Sequence, residues 1–123
     1  FLGKKGKFMH INQGLVKIDL GALRANYALL KSKSYGNMPV AAAVKANAYG
    51  LGILELAPVL HEAGCQIFFT ATLEEGIGLR AILPGVEIFI LCGPASGTAE
   101  LYDEYKLSPV LNTLEDIAWA RAE

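Results

Sequence analysis

The 123-residue sequence has few of the residues that build metal sites or disulfide frameworks, with two cysteines and two histidines. His10 and His61 stand far apart, and with two separate cysteines they form no metal-ligand pattern. Cys65 and Cys92 both lie in apolar surroundings, which predicts reduced core or near-core thiols of a cytoplasmic protein. A disulfide between them is the less favoured alternative.

An excess of charge and a long apolar run are also missing. Lys and Arg number 11 against 12 Asp and Glu, so the net charge is -1, and neither nucleic acid nor an anionic membrane is an expected partner. No stretch approaches the ~20 apolar residues that a membrane helix needs. With 53% hydrophobic and 19% charged residues, the composition predicts a globular protein with one core.

The two ends of the sequence lack ordinary start and stop signals. The first residue is Phe1 rather than methionine, and residues 1–13 have no signal-peptide pattern. We expect these residues to be a mobile tail, with Met9 as a candidate start. Glu123 ends a helical pattern without a stop signal. The expectation is therefore a chain cut at both ends, with residues 14–123 as the folded part.

Apolar runs and helical periods alternate along the rest of the chain. Strands are predicted at residues 15–20, 38–46, 66–71, 86–92 and 109–111. A first helix is predicted from residue 20 up to a stop at Gly36 and Asn37. Further helices are predicted at residues 53–63, 72–82 and 98–105, and from residue 112 onwards. Such alternation implies parallel strands with right-handed crossovers. An open doubly wound sheet and a (β/α)8 barrel both fit the pattern, which does not separate them.

Local signals refine these elements. Asp19 is a plausible N-cap of the first helix, and Thr72 with Glu75 predicts a capping box. The adjacent Glu74 and Glu75 are assigned to capping and to the helix dipole, not to a catalytic carboxylate pair. Pro58 is expected in or near the first turn of its helix, or at a kink. The apolar run 38–46 suggests a strand buried on both faces.

Lys45 is the residue that points to chemistry, because it lies near the end of this apolar run. A buried ammonium ion is expensive, so the side chain should be neutralised, paired or used covalently. Free lysine amines form Schiff bases with carbonyl compounds, and parallel sheets place active sites at the carboxyl ends of strands. A lysine that snorkels to the sheet edge is the competing interpretation, and position alone modestly favours it.

The loop after Lys45, ANAYGLG, shifts that balance. The hydroxyl of Tyr49 is a suitable partner for a phosphate oxygen, and Gly50 and Gly52 allow the backbone to approach a ligand closely. By itself YGLG is a weak signal, since ordinary strand-to-helix turns are commoner. It does not match the dinucleotide or phosphate-loop glycine patterns.

Three segments together resemble alanine racemases. KANAYG at residues 45–50 resembles the family's lysine signature for pyridoxal 5'-phosphate (PLP), and IDLGALRANYALL (18–30) and ATLEEGIGLR (71–80) resemble two further segments in the same order and spacing. The resemblance covers roughly residues 14–123, with one departure at Leu51, where many members have histidine. It implies an α/β fold, the N-terminal portion of a (β/α)8 TIM-type barrel, with the rest of the barrel and a C-terminal β-domain absent from this chain.

The resemblance also implies roles for single residues. Lys45 would bind PLP and act as the catalytic base for the Cα proton of the D-enantiomer, Tyr49 would help hold the cofactor phosphate, and Leu91 or a neighbour would line the cofactor site. The implied reaction interconverts L-alanine and D-alanine by two-base proton transfer, supplying D-alanine for peptidoglycan. In the family the second base is a tyrosine of the β-domain, donated across a homodimer interface. No tyrosine of this chain fits that role.

Other interpretations remain open at this stage. The chain could belong to another PLP barrel, such as a serine or broad-specificity racemase, an amino acid decarboxylase or a non-catalytic PLP-binding protein. A plain α/β domain without a cofactor is the least specific alternative. Because a (β/α)8 barrel takes ~250 residues, the 123-residue chain by itself is expected to be inactive.

Overall fold

The computed structural model describes residues 16–122. The predicted tail, residues 1–13, lies outside that range. Ordered along the chain, the elements are α1 Leu20–Lys33, a 3-10 turn Tyr35–Asn37, β1 Ala42–Ala43, a turn Lys45–Tyr49, α2 Ile53–Glu62, β2 Ile67–Thr70, α3 Leu73–Ile82, β3 Glu87–Ile90, α4 Ala99–Glu104, β4 Ser108–Pro109 and α5 Leu114–Ala122.

The four strands form one parallel sheet in the order β1-β2-β3-β4. The register pairs Ala43 with Phe69, Phe69 with Phe89, and Ile90 with Pro109. Each strand is therefore added on the same side of the one before it. A doubly wound sheet reverses its strand order at a switch point, whereas successive units of a (β/α)8 barrel do not. The predicted α/β fold of barrel type is confirmed.

The two faces of the sheet differ in their cover. On one, here called the outer face, Phe68 and Ile90 are fully buried beneath the helices, where Leu79 of α3 packs. On the other, the inner face, Phe69 and Phe89 are only half-buried and stack with ring centroids 5.1 Å apart. The core of the described chain therefore lies between the outer face and its helices.

The strand expected at residues 38–46 is shorter and more open than predicted. Only Ala42 and Ala43 form strand, and Ala43 is exposed while Val44 is buried. Within residues 16–122 the expected burial on both faces is not seen, because no described element covers the inner face. The strand expected at residues 15–20 does not form in its described part, since residues 16–19 have no strand partner and α1 begins at Leu20.

Helix starts follow the predicted caps closely. The side chain of Asp19 accepts a hydrogen bond from the Ala22 N–H at 3.0 Å, and Thr72 Oγ1 accepts from the Glu75 N–H at 3.3 Å. Both N-caps are confirmed. Pro58 lies beyond the first turn of α2, and the helix continues through it to Glu62.

Tyr27 of α1 and Cys65 of the loop before β2 each donate a hydrogen bond to a backbone carbonyl. The Tyr27 hydroxyl donates to the carbonyl of Val40 at 2.8 Å, and the Cys65 thiol donates to the carbonyl of Ile67 at 3.3 Å. Burial raises the pKa of Tyr27 to about 12 and also raises the pKa of Cys65. Both cysteines are free thiols, but Cys92 is exposed. The prediction of a core or near-core position was therefore wrong for Cys92, which lies in the turn after β3.

Arg80 organises the far end of the sheet, away from Lys45. Its guanidinium donates to five backbone carbonyls at 2.7 to 3.2 Å, those of Leu83, Pro84, Val86, Tyr105 and Lys106. These carbonyls belong to the loop before β3 and the loop before β4. The Arg80 side chain thus links the loop between α3 and β3 to the loop between α4 and β4.

None of the helices within residues 16–122 combines the length and apolar character that crossing a membrane requires.

The close approach of α3 to β3 generates a stability prediction. A Cβ added at Gly76 would overlap Cδ1 of the fully buried Ile90, with Leu107 and Thr70 side-chain atoms 3.4 Å away. We expect Gly76→Ala to lower the free energy of unfolding by about 1–2 kcal/mol, because overpacking outweighs the better helix propensity of alanine. Gly78 of the same helix has open space around it. Gly78→Ala should therefore raise stability by about 0.5–1 kcal/mol.

Chemical denaturation of the two variants checks this directly. Equal stabilisation by both alanines would contradict the close packing of Gly76 on Ile90.

Candidate active site

Lys45 and Leu91 lie at the same edge of the sheet, where β1 and β3 end. The Val44 N–H donates to the carbonyl of Phe69 at 2.9 Å, and the Leu91 N–H donates to the carbonyl of Thr70 at 2.9 Å. The hydrogen bonds between neighbouring strands thus continue one residue beyond β1 and β3. They place Lys45 and Leu91 level with the end of β2. Two strand spacings separate them, about 10 Å.

The alternation of side chains puts Lys45 on the inner face. Ala43 is exposed there, Val44 is buried towards the helices, and Lys45 is half-buried. Leu91 has the same parity as Phe89 and is also half-buried. Lys45 therefore lies at the carboxyl edge of the inner face. The apolar run had suggested a strand covered on both sides.

The backbone after Lys45 turns in the left-handed direction for four residues. Ala46, Asn47, Ala48 and Tyr49 have φ of 52°, 53°, 53° and 58°. None is glycine, and the left-handed conformation costs an L-residue about 1–2 kcal/mol. Such strained backbone persists only where contacts with the surrounding structure hold it in place, and strained residues are concentrated at functional sites. An ordinary strand-to-helix turn would not need it.

Hydrogen bonds within the segment support this turn, here called the Lys45 turn (residues 45–49). The N–H of Ala48 donates to the carbonyl of Val44, and that of Gly50 to Ala46, both at 2.8 Å. Oδ1 of Asn47 accepts from the Ile53 N–H at 2.9 Å. Asn47 therefore satisfies one of the N–H groups that the first turn of α2 leaves open.

Glu75 connects the Lys45 turn to the neighbouring strand end. Its Oε1 accepts from the Ala46 N–H at 2.9 Å, and its Oε2 accepts from the Ala71 N–H at 2.8 Å. The predicted capping box is thus only half formed: Thr72 caps the helix, but the carboxylate of Glu75 bonds elsewhere. Sequence reasoning missed this role, since a glutamate at the third helical position looks the same whether it caps its own helix or reaches a partner 29 residues away.

Tyr49 and Leu91 differ in how firmly they are held. Tyr49 is 64% exposed at the end of the Lys45 turn, and its hydroxyl has no hydrogen-bond partner among residues 16–122. The carbonyl of Leu91 accepts from Nδ2 of Asn112 at 2.8 Å. The structure thus brings Lys45 and Leu91 to one edge and leaves the tyrosine hydroxyl accessible on the loop beside them.

Across the described part of the chain, no three side chains of His, Cys, Asp or Glu are grouped so that they could hold a metal ion.

A family model described as "Alanine racemase, N-terminal domain" matches residues 18–123. The chain belongs to this family. The resemblance of the three sequence segments is thereby confirmed over almost the whole described chain.

Individual alanine racemases agree with the assignment. The alanine racemase of Rhizobium meliloti (strain 1021) is 43% identical over 101 residues, which is 82% of this chain. The crystal structure of alanine racemase from Bartonella henselae with covalently bound pyridoxal phosphate superposes with a TM-score of 0.80 at 39% identity over 85% of the chain. The histidine racemase of Leuconostoc mesenteroides subsp. sake has a TM-score of 0.75 at 27% identity over 84%.

The chain spans only 26%, 29% and 27% of the lengths of these three proteins.

The bond from Ile53 to Asn47 generates a second stability prediction. We expect Asn47→Ala to lower the free energy of unfolding by about 1–2 kcal/mol, because α2 loses a cap and alanine tolerates the left-handed region less well than asparagine. Asn47→Gly should cost less, since glycine adopts positive φ without strain. Asn26→Ala, an exposed site on α1, is the control and should be close to neutral.

Urea or guanidinium titration measures all three variants. If Asn47→Ala and Asn26→Ala were equally stable, Asn47 would not be holding the turn.

Proposed function

We propose that the protein is a PLP-dependent alanine racemase that uses Lys45 both to bind the cofactor and to move a proton at the substrate Cα. The position of Lys45 carries the proposal: it opens KANAYG, it lies half-buried at the carboxyl edge of the sheet, and the chain belongs to the alanine racemase N-terminal domain family. Residues 14–123 would form the first part of a PLP-binding barrel domain.

The residues at this edge fit a PLP molecule. Lys45 offers an amine on the uncovered inner face, Leu91 offers an apolar side chain two strands away, and Tyr49 offers an accessible hydroxyl for a phosphate oxygen. Gly50 has φ of 80° and open space where a Cβ would stand, so the backbone there leaves room for a ligand. The Bartonella henselae relative carries pyridoxal phosphate covalently.

Racemisation needs proton removal from one side of Cα and delivery to the other. Bound PLP supplies the electron sink that makes Cα–H acidic enough to lose its proton. Lys45 would take the Cα proton of the D-enantiomer or return it to that face, because its amine stands at the rim where a bound substrate would lie. Because the proton leaves one face of Cα and arrives on the other, a second acid–base group opposite Lys45 is needed, and this group is expected to be a tyrosine of a partner subunit in a homodimer.

The cellular setting follows from the same proposal. The product D-alanine would enter peptidoglycan, and the reaction would run in the cytoplasm.

A second candidate is racemisation of a different amino acid. The similarity to a histidine racemase at a TM-score of 0.75 and 27% identity favours keeping it, since this portion of the fold occurs in proteins named for different substrates. Assaying a panel of L-amino acids with the protein expressed from its complete reading frame separates the two. Alanine turned over at least as well as any other supports the first candidate.

Absorbance spectroscopy tests whether Lys45 holds PLP. The protein from the complete reading frame, treated with PLP, should show the band of a lysine-linked pyridoxal group near ~420 nm. Lys45→Ala should abolish the band, because the amine that forms the link is gone. Lys33→Ala, in the last turn of α1, is the control and should keep it. A folded, PLP-treated protein without the band, or a Lys45→Ala variant that retains it, would refute the proposal.

The 123-residue chain alone should have no measurable racemase activity. Its described sheet has four strands and an uncovered inner face, so the second proton-transfer group and most cofactor contacts would have to come from elsewhere. Polarimetric or coupled assay of L- and D-alanine checks this. Interconversion at ordinary enzyme rates by the chain alone would contradict it.

A further inference from the structure

We propose that Glu75 is a positioning residue for Lys45: its carboxylate clamps the Lys45 turn in the left-handed conformation and so sets the direction of the lysine amine. The inference rests on the proposed function, in which Lys45 is the PLP lysine. Glu75 need not touch the cofactor or the substrate to act in this way.

Both carboxylate oxygens of Glu75 are engaged, each by a different strand end. Oε1 accepts from the N–H of Ala46 at 2.9 Å, and Oε2 accepts from the N–H of Ala71 at 2.8 Å. Hydrogen bonds to an ionised acceptor are about twice as strong as neutral ones. The end of β1 and the end of β2 are thus held to one rigid group, which is itself anchored in the first turn of α3.

The hydrogen bond from the Ala46 N–H to Glu75 lies at the first residue of the left-handed turn. The peptide unit between Lys45 and Ala46 contains the N–H that Glu75 accepts, and Ala46 is the first left-handed residue, with φ of 52°. Turning Ala46 to the favoured right-handed region would reorient this peptide unit and break the bond to Glu75. Glu75 therefore stabilises the less favoured backbone at the residue next to the lysine.

Helix capping alone does not account for the contact. Thr72 already caps α3 by accepting from the Glu75 N–H, and in a capping box the carboxylate would reach back to the N–H of Thr72. Glu74 lies beside Glu75 in the same acidic first turn, so it offers the helix dipole a similar charge. Glu74 is exposed, and its carboxylate accepts no hydrogen bond from any residue in the described range.

This pair of glutamates supplies a matched experiment on the protein from the complete reading frame. Glu75→Gln keeps the side-chain length but replaces one acceptor oxygen by an NH2 donor. The PLP concentration that half-saturates the ~420 nm band should rise about tenfold, the ratio expected for one lost charge-assisted hydrogen bond. Glu74→Gln should leave it unchanged. Thr72→Ala, which removes the cap and spares the clamp, should lower thermal stability without changing half-saturation.

Hydrogen exchange gives a second measurement that needs no PLP. In the unsubstituted protein the Ala46 amide should exchange at least about tenfold more slowly than in an unstructured peptide. Glu75→Gln should remove that protection, and Glu74→Gln should keep it. Should Glu75→Gln fail to fold, an Ala46 amide that exchanges at the unstructured rate in the unsubstituted protein still refutes the clamp.

The possible results separate the two proposals. Equal half-saturation in Glu75→Gln and Glu74→Gln, or an equal rise in Thr72→Ala, would overturn the positioning role. An Ala46 amide that exchanges at the unstructured rate would overturn the clamp itself. Absence of the band in the unsubstituted protein would refute the PLP function of Lys45, while Ala46 protection that Glu75→Gln removes would still establish the clamp.

Discussion

Four consecutive left-handed residues directly after Lys45 set the constraint on which the candidate site depends. At about 1–2 kcal/mol for each residue, the Lys45 turn would relax if its surroundings did not hold it. They do so from two directions, since Asn47 bonds the start of α2 and Glu75 joins the turn to the end of β2. The lysine is thus carried on a backbone whose geometry is fixed by groups distant in the sequence.

The sheet places the Lys45 turn at the carboxyl edge of its strands. Helices cover the outer face, where Phe68 and Ile90 are fully buried. The inner face keeps Phe69 and Phe89 half-buried. Lys45 and Leu91 end their strands on the inner side of the same edge, which is where barrel enzymes place their chemistry. Family membership and the position of Lys45 therefore point to the same part of the molecule.

Much of this arrangement could be predicted from local sequence. Asp19 and Thr72 cap their helices as expected, because an N-cap bond joins residues only three apart. The parallel order of the strands follows from their alternation with helices. KANAYG directed attention to Lys45, since a lysine at the end of an apolar strand is unusual and the residues after it resemble a family signature.

What could not be predicted involves contacts between distant segments. The strand expected at residues 15–20 was wrong in its described part, because alternating polarity there meets no partner strand. Cys92 is exposed although its neighbours are apolar, since β3 ends before it. The bridge from Glu75 to Ala46 spans 29 residues, and no local pattern distinguishes it from ordinary capping. Each of these features depends on contacts between segments that are distant in the sequence.

The central claim is that the amine of Lys45, and no other, binds PLP covalently. Reducing the PLP-loaded protein with borohydride makes the link permanent, and mass spectrometry of its proteolytic peptides then locates the modified residue. The account predicts the pyridoxyl group on Lys45, in the peptide that contains KANAYG. Stoichiometric labelling of a different lysine, with Lys45 unmodified in the folded protein, would contradict it.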